Sequence, residues 1–244
     1  MPTLREITQE WNRNAPSRCR QLDQGTDISH DKVLLPRMLR LGGVLKGKKV
    51  IDVGCGCGFL TNAAANYATS VIGIDSARRM IQEAQHRHSR SNLSFQASSL
   101  AMFARIQKGR YDVCFSNMSI ITMPNLAASI QAMAVLLRSK GLLIFSIAHP
   151  CFWNFYRKDE PLARFNYWRP HAVKAPFRIT LGRKPLPVET TYFHRPIAAY
   201  ISALTRAGLH LETVVEPNPP HAAPVEYRRA FHLPRFMLFR ARKA

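Results

Sequence analysis

Between Val50 and Thr61 the chain reads VIDVGCGCGFLT, and this segment limits its folding more than any other. A β-branched run ends at Asp52, glycines follow at Gly54, Gly56 and Gly58, and an apolar helix-forming stretch begins at once. Glycine adopts positive φ without steric cost, so such a turn lets the backbone come close to a ligand. The helix that follows offers unpaired N–H groups at its first turn, which favour a polar ligand. A dinucleotide fingerprint needs G-x-G-x-x-G. Here its third glycine would fall at Phe59, so that pattern is broken.

Outward from this turn the chain alternates between two periods. Strands are expected at Lys48–Val53, Ser70–Asp75, Asn92–Gln96, Tyr111–Asn117 and Gly141–Ala148. Helical spacing separates them at Phe59–Ala68, Ala77–His88 and Leu126–Leu137. Strands alternating with helices of this length imply a parallel sheet covered on both faces, with right-handed crossovers. The rhythm stops over residues 150–191, which are rich in proline and aromatics. A long irregular segment in a compact domain is usually functional or disordered, and the aromatics supply surface to bury. A helix is expected again at Pro196–Ala207, ended by Gly208, then strands at Leu209–Val215 and Arg235–Arg242. The intervening PNPPHAAP cannot continue a central strand, since proline donates nothing to a ladder. The fold class is therefore α/β, a doubly wound, mostly parallel sheet forming a single domain over 1–244.

Composition narrows the partners. Hydrophobic residues make up 46% of the chain, enough for a sizeable core. The polar MPTLREITQEW has no secretory-signal pattern, and no apolar run approaches the ~20 residues of a membrane span, so a cytoplasmic protein is expected. Cys19, Cys55, Cys57, Cys114 and Cys151 form no C-x-x-C pair, and they read as small residues in a reducing compartment, with no metal site. The net charge of +20 favours anionic partners, yet the basic residues are spread out and name none of them.

An acidic residue two positions before G-x-G-x-G resembles motif I of the class I S-adenosylmethionine-dependent methyltransferases. GIDSARRMI, YDVCFSNMSIITMPN and GLLIFSIAHPCF, in that order, resemble the later motifs of their small-molecule members. The resemblance covers roughly residues 30–150 well and the C-terminal hairpin loosely. It implies a seven-stranded Rossmann-like methyltransferase fold and S-adenosyl-L-methionine as cofactor. It also implies a cofactor-binding set of Asp52, Gly54, Gly56, Gly58, Asp75, Ser76, Met80, Ser98, Ser99, Leu100, Asn117 and Met118. Asp75 ends the second strand, where a carboxylate can accept bonds from ribose hydroxyls, a logic shared with nicotinamide enzymes.

Two departures stand out. Ser98 occupies the position where many relatives carry the acid that accepts the adenine amino group, and a neutral acceptor is weaker than a charged one. Ile120, Ile121 and Thr122 stand where many relatives carry a histidine. The candidate catalytic residues are then His149, at the end of strand five, and His194, where the irregular segment rejoins the domain. His171, His86 and His88 read as surface residues. Residues 1–45 are expected to form a helical cap, in which Trp11 can face a cation or the substrate. The insertion after strand five (150–191) reads as a lid, with Trp153 and Tyr156 binding substrate. Between Cys151 and Pro187 its basic residues are Arg157, Lys158, Arg164, Arg169, Lys174, Arg178, Arg183 and Lys184, against Asp159 and Glu160. An aromatic, cationic lid favours a planar or apolar small-molecule acceptor, methylated on nitrogen or oxygen. An RNA acceptor is the alternative, because interleaved aromatics and arginines stack bases and track phosphates. A non-catalytic subunit of the same fold is the third reading, against which the intact Asp52, glycines and Asp75 speak.

Overall fold

The computed structural model describes residues 1–161, 164–182 and 184–244, so Arg183 of the basic set lies outside the described residues. Nine strands are present among them. They are β1 (Lys49–Val53), β2 (Ser70–Asp75), β3 (Leu93–Ala97), β4 (Tyr111–Asn117), β5 (Leu137–Ala148), β6 (His171–Ala175), β7 (Thr190–His194), β8 (Leu209–Val215) and β9 (Phe236–Lys243). Seven of them build one sheet in the order β3-β2-β1-β4-β5-β9-β8, parallel except for β9, which runs antiparallel to β5 and to β8. The doubly wound, mostly parallel seven-stranded sheet is thus present.

Burial on both faces explains the near-continuous apolar strands. Successive side chains point to opposite faces, so Val50, Val113 and Ile144 pack on one side while Ile51, Cys114 and Leu143 pack on the other. The first side is covered by α2 (Leu35–Gly42) and α3 (Phe59–Ala65), and the second by α5 (Leu100–Ile106), α6 (Leu126–Leu136) and α8 (Ile197–Arg206). Phe145 and Phe239 stack in the second layer with ring centroids 4.7 Å apart. No described helix is long and apolar enough to cross a membrane.

The N-terminal α1 (Leu4–Asp23) begins with a reciprocal cap between Thr3 and Glu6 and packs on α4 (Arg78–Arg87). The insertion contains regular structure that its sequence does not announce: α7 (Trp153–Arg157) and an antiparallel ribbon of β6 with β7. These pieces are five residues each, too short to display a period. Buried Glu10 of α1 accepts hydrogen bonds from the Thr191 N–H at 2.8 Å and the Thr191 hydroxyl at 2.9 Å. Asn14 exchanges two bonds with the backbone of Val188, so α1 and the insertion form one continuous cover.

One expectation is corrected here. Cys19 of α1 and Cys57 of the glycine turn are joined by a disulfide, with Cα atoms 5.7 Å apart. The two are 38 residues apart in sequence and meet only because α1 folds back across the turn, so spacing could not reveal them. Closing a loop of that length restricts the unfolded chain by roughly 3–4 kcal/mol in the loop-entropy model. Cys19→Ser is therefore expected to lower unfolding stability by about 3 kcal/mol without reductant. Dithiothreitol should bring the wild type to the same denaturation midpoint, and a midpoint unmoved by either change would count against the bridge.

Candidate active site

The turn from β1 into α3 holds Gly54 at φ +69° and Gly56 at φ +53°. A Cβ on Gly54 would lie 1.7 Å from the Ser119 hydroxyl, whereas one on Gly56 would meet nothing within 4 Å. Gly54 is thus packed from behind and Gly56 faces open space. Asp75 ties the turn to β2: one carboxylate oxygen accepts the Gly56 N–H at 3.0 Å and the other the Ala77 N–H at 2.8 Å. Burial raises the Asp75 pKa, and the two backbone donors oppose that rise. Asp52 accepts the Thr61 hydroxyl at 2.7 Å through Oδ2, while its Oδ1 is buried without a partner. Burial pushes the Asp52 pKa up to about 7, with the Thr61 bond opposing it. A buried, unpaired carboxylate oxygen is costly, and a ligand carrying a cationic donor would relieve that cost.

These groups border a cavity of about 500 Å³. Its lining includes Asp52, Gly54, Gly56, Asp75, Ser76, Met80, Ser98, Ser99, Leu100, Asn117 and Met118. Gly58 is absent from the lining; at φ +79° it caps α3, and the Phe95 ring and Ala84 leave no room for a side chain. At the end of β4 the Ser146 hydroxyl donates to Asn117 Oδ1 at 2.6 Å and accepts the Met118 N–H at 2.9 Å. These bonds hold Met118 at φ +55°, a conformation costing an L-residue about 1–3 kcal/mol and typical of functional sites. Where an acid was expected, the Ser98 hydroxyl donates to the Ser99 carbonyl at 3.1 Å. Ser99 Oγ accepts the Met102 N–H and starts α5, a seven-residue helix that the sequence pattern did not resolve.

The cover and the start of β9 add aromatic lining. Trp11, Trp153, Phe177, Tyr192 and Phe236 line the cavity. Trp11 and Phe177 meet edge to face with centroids 6.0 Å apart. The Trp153 Nε1–H is buried without a partner.

Several expected positions lie elsewhere. His149 does not line the cavity: its Nε2 bonds Glu216 at 2.7 Å, its Nδ1 accepts the Cys151 N–H at 3.2 Å, and its ring stacks on Phe152. His194 is also outside, its Nε2 donating to the Tyr167 carbonyl at 2.9 Å, and burial lowers its pKa. Tyr156 is a scaffold residue whose hydroxyl bonds both the N–H and the carbonyl of Leu233 at 2.6 Å. His86 is exposed and His171 pairs with Glu160 at 2.7 Å. His88 is instead half-buried, 3.1 Å from the Cys57 carbonyl and edge-on to Phe59. Conversely, His30 lines the cavity and was not singled out. A lone histidine in DISHDK carries no period or spacing that marks it.

A family model described as a methyltransferase domain matches residues 45–175. An uncharacterized protein of Haemophilus influenzae is 27% identical over 226 residues, covering 85% of this chain and 86% of that protein. The ubiquinone biosynthesis O-methyltransferase of Bordetella avium is 33% identical over 110 residues, which is 43% of this chain. That match spans 45% of the relative, so the chain aligns with about half of its length. Among solved structures, a Listeria monocytogenes protein assigned as an S-adenosylmethionine-dependent methyltransferase superposes with a TM-score of 0.72 at 24% identity, covering 86% of this chain and 96% of that one. The N-methyltransferase NodS of Bradyrhizobium japonicum, bound to S-adenosyl-L-homocysteine, gives a TM-score of 0.57 at 16% identity, covering 86% and 85%.

The two cavity glycines should separate in a stability measurement. Gly54→Ala combines positive φ with collision on Ser119 and should cost about 2–4 kcal/mol. Gly56→Ala carries only the backbone penalty of about 1 kcal/mol. Urea denaturation of both variants checks this order, which equal losses would contradict.

Proposed function

This chain belongs to the methyltransferase-domain family, whose class I members use S-adenosyl-L-methionine, and we propose that it methylates nitrogen or oxygen of a small-molecule acceptor. The observation that carries this reading is one cavity bordered on one side by the glycine turn and on the other by the aromatic cover. The unpaired Asp52 Oδ1 and the open face of Gly56 fit a cofactor with an ammonium and a polar tail. In this reading Asp52 takes the amino group and Asp75 accepts the ribose hydroxyls. Ser76, Met80, Ser98, Ser99 and Leu100 surround the adenine, and Asn117 and Met118 border the methionine end. The bound cofactor supplies an electrophilic methyl group on a sulfonium.

The chain's own contribution is positioning and exclusion of water, which suffice for much of an in-line displacement. Residues 1–45 and 150–191 act as the cover, with Trp11 and Trp153 against the acceptor. His149, His194 and Tyr156 keep structural roles here, because each spends its polar atoms on protein partners outside the cavity. RNA is the less favoured acceptor, since Trp11, Trp153, Phe177 and Tyr192 line the same cavity as the glycine turn and are each only partly exposed.

Calorimetry with S-adenosyl-L-homocysteine tests the cofactor half. Asp75→Ala removes an ionic acceptor worth ~1.5–3 kcal/mol, so affinity should fall tenfold or more. Asp52 must be ionised to hold an ammonium, and burial sets its ligand-free pKa to about 7. Below that pH, binding must expel a proton, so affinity should drop about tenfold per pH unit as pH falls from 7 and level off above it. Incubation with methyl-labelled cofactor tests the acceptor half: label should enter the small-molecule fraction of a cell extract. Label confined to RNA would favour the alternative.

A further inference from the structure

We infer that His30 is the general base of this cavity and that the acceptor it serves is a phenolic hydroxyl. The inference rests on the methyltransferase reading and names the acceptor class of the same site. His30 stands in a six-residue π-helix (Ser29–Leu34), a local widening of helical geometry that frequently marks functional sites. Its backbone N–H donates to Asp27 Oδ1 at 3.1 Å, and its Nδ1 lies 2.8 Å from Asp31 Oδ1. A carboxylate at Nδ1 fixes the hydrogen there and leaves the lone pair on Nε2. No described residue hydrogen-bonds that Nε2, although the residue is buried and lines the cavity. The ring sits edge-on to Phe59, the residue that follows Gly58, with centroids 6.0 Å apart.

The charges around His30 suit a proton acceptor. Asp31 pairs with the ring that would become cationic. Asp27 is neutralised by Arg18 of α1 at 2.7 Å, so the imidazolium gains a partner without a second unpaired charge beside it. The walls select the acceptor's shape. Trp11 with Phe177 and Trp153 with Phe236 form aromatic pairs, each with centroids 6.0 Å apart, that accept a flat ring. The unpartnered Trp153 Nε1–H offers a donor to a heteroatom on that ring. Acidity then decides which hydroxyl can be activated. A phenol is far more acidic than an aliphatic hydroxyl, so its proton is within reach of an imidazole base where the aliphatic one is not.

In the step itself the acceptor O–H proton passes to His30 Nε2. The oxygen forms a bond to the methyl carbon as the carbon–sulfur bond breaks, and that electron pair stays on sulfur in S-adenosylhomocysteine. The imidazolium afterwards returns its proton to solvent.

4-Nitrophenol reports on this without turnover, because its ionised form alone absorbs in the visible. With the wild-type protein saturated by S-adenosyl-L-homocysteine just below neutral pH, bound probe should show the phenolate band. His30→Gln should bind the homocysteine nucleoside equally well by calorimetry and lose at least nine-tenths of that band. Asp31→Asn should weaken the band several-fold, and it serves as the test if His30→Gln does not fold. A phenolate band unchanged in these variants, or no bound-probe signal in the wild type, would overturn the inference. If the wild type also failed to bind S-adenosyl-L-homocysteine, the methyltransferase reading itself would fall with it.

Discussion

Two backbone hydrogen bonds to one carboxylate organise the rest of the site. Asp75, at the end of β2, accepts N–H groups from Gly56 and Ala77 and so fixes the glycine turn against the neighbouring strand. The Gly54 and Cys55 N–H groups add bonds to the Ile74 carbonyl at 2.8 and 3.0 Å, and together these ties restrict glycines that would otherwise lose more freedom on ordering than any other residue. With them, the turn presents open backbone at Gly56 and sets α3 down on one face of the sheet. Asp52 completes the arrangement from β1, one oxygen held by Thr61 and the other unsatisfied. Both carboxylates are kept on the cavity side at the expense of burial, which raises the pKa of each.

The cover depends on the turn in its own way. Cys57 lies inside the glycine segment and is bonded to Cys19 of α1. The same helix carries Glu10 and Asn14, which engage Thr191 and Val188 of the insertion. Lys174 also pairs with Glu10 at 3.4 Å, so this buried carboxylate has both an ionic partner and its hydrogen bonds within the insertion. Glycine turn, N-terminal helix and insertion therefore form one connected unit around the cavity. Thr8 adds a further link, its hydroxyl donating to Ser76 beside the end of β2 at 2.9 Å.

Much of the frame was legible because it rests on local patterns. The apolar strands around Ile51, Ile72, Phe115 and Ile144 read correctly to within a few residues, as did Leu209–Val215 and the helix ended by Gly208. β5 begins four residues earlier than its apolar run suggests, with Lys140 at φ +61° and a register irregularity opposite Tyr111–Val113. Motif positions such as Asp52, Asp75 and Asn117 do meet at one cavity. What escaped the sequence depends on contacts between distant segments. His149 looked well placed at a strand end, but Glu216 from beyond β8 takes its ring nitrogen. His30 belongs to no motif, and the packing of the N-terminal segment against Phe59 brings it to the cavity. The cysteines misled for the same reason, since pairing of Cys19 with Cys57 requires α1 to cross the glycine turn.

A crystal structure with S-adenosyl-L-homocysteine bound tests the central claim most directly, namely that one cavity holds the methyl donor against an aromatic acceptor wall. The account predicts the nucleoside between Asp75 and Ser98–Leu100, the amino group at Asp52 Oδ1, and the sulfur facing Trp11, Phe177 and His30. Binding outside this cavity, or a sulfur turned to open solvent away from the aromatic wall, would contradict it.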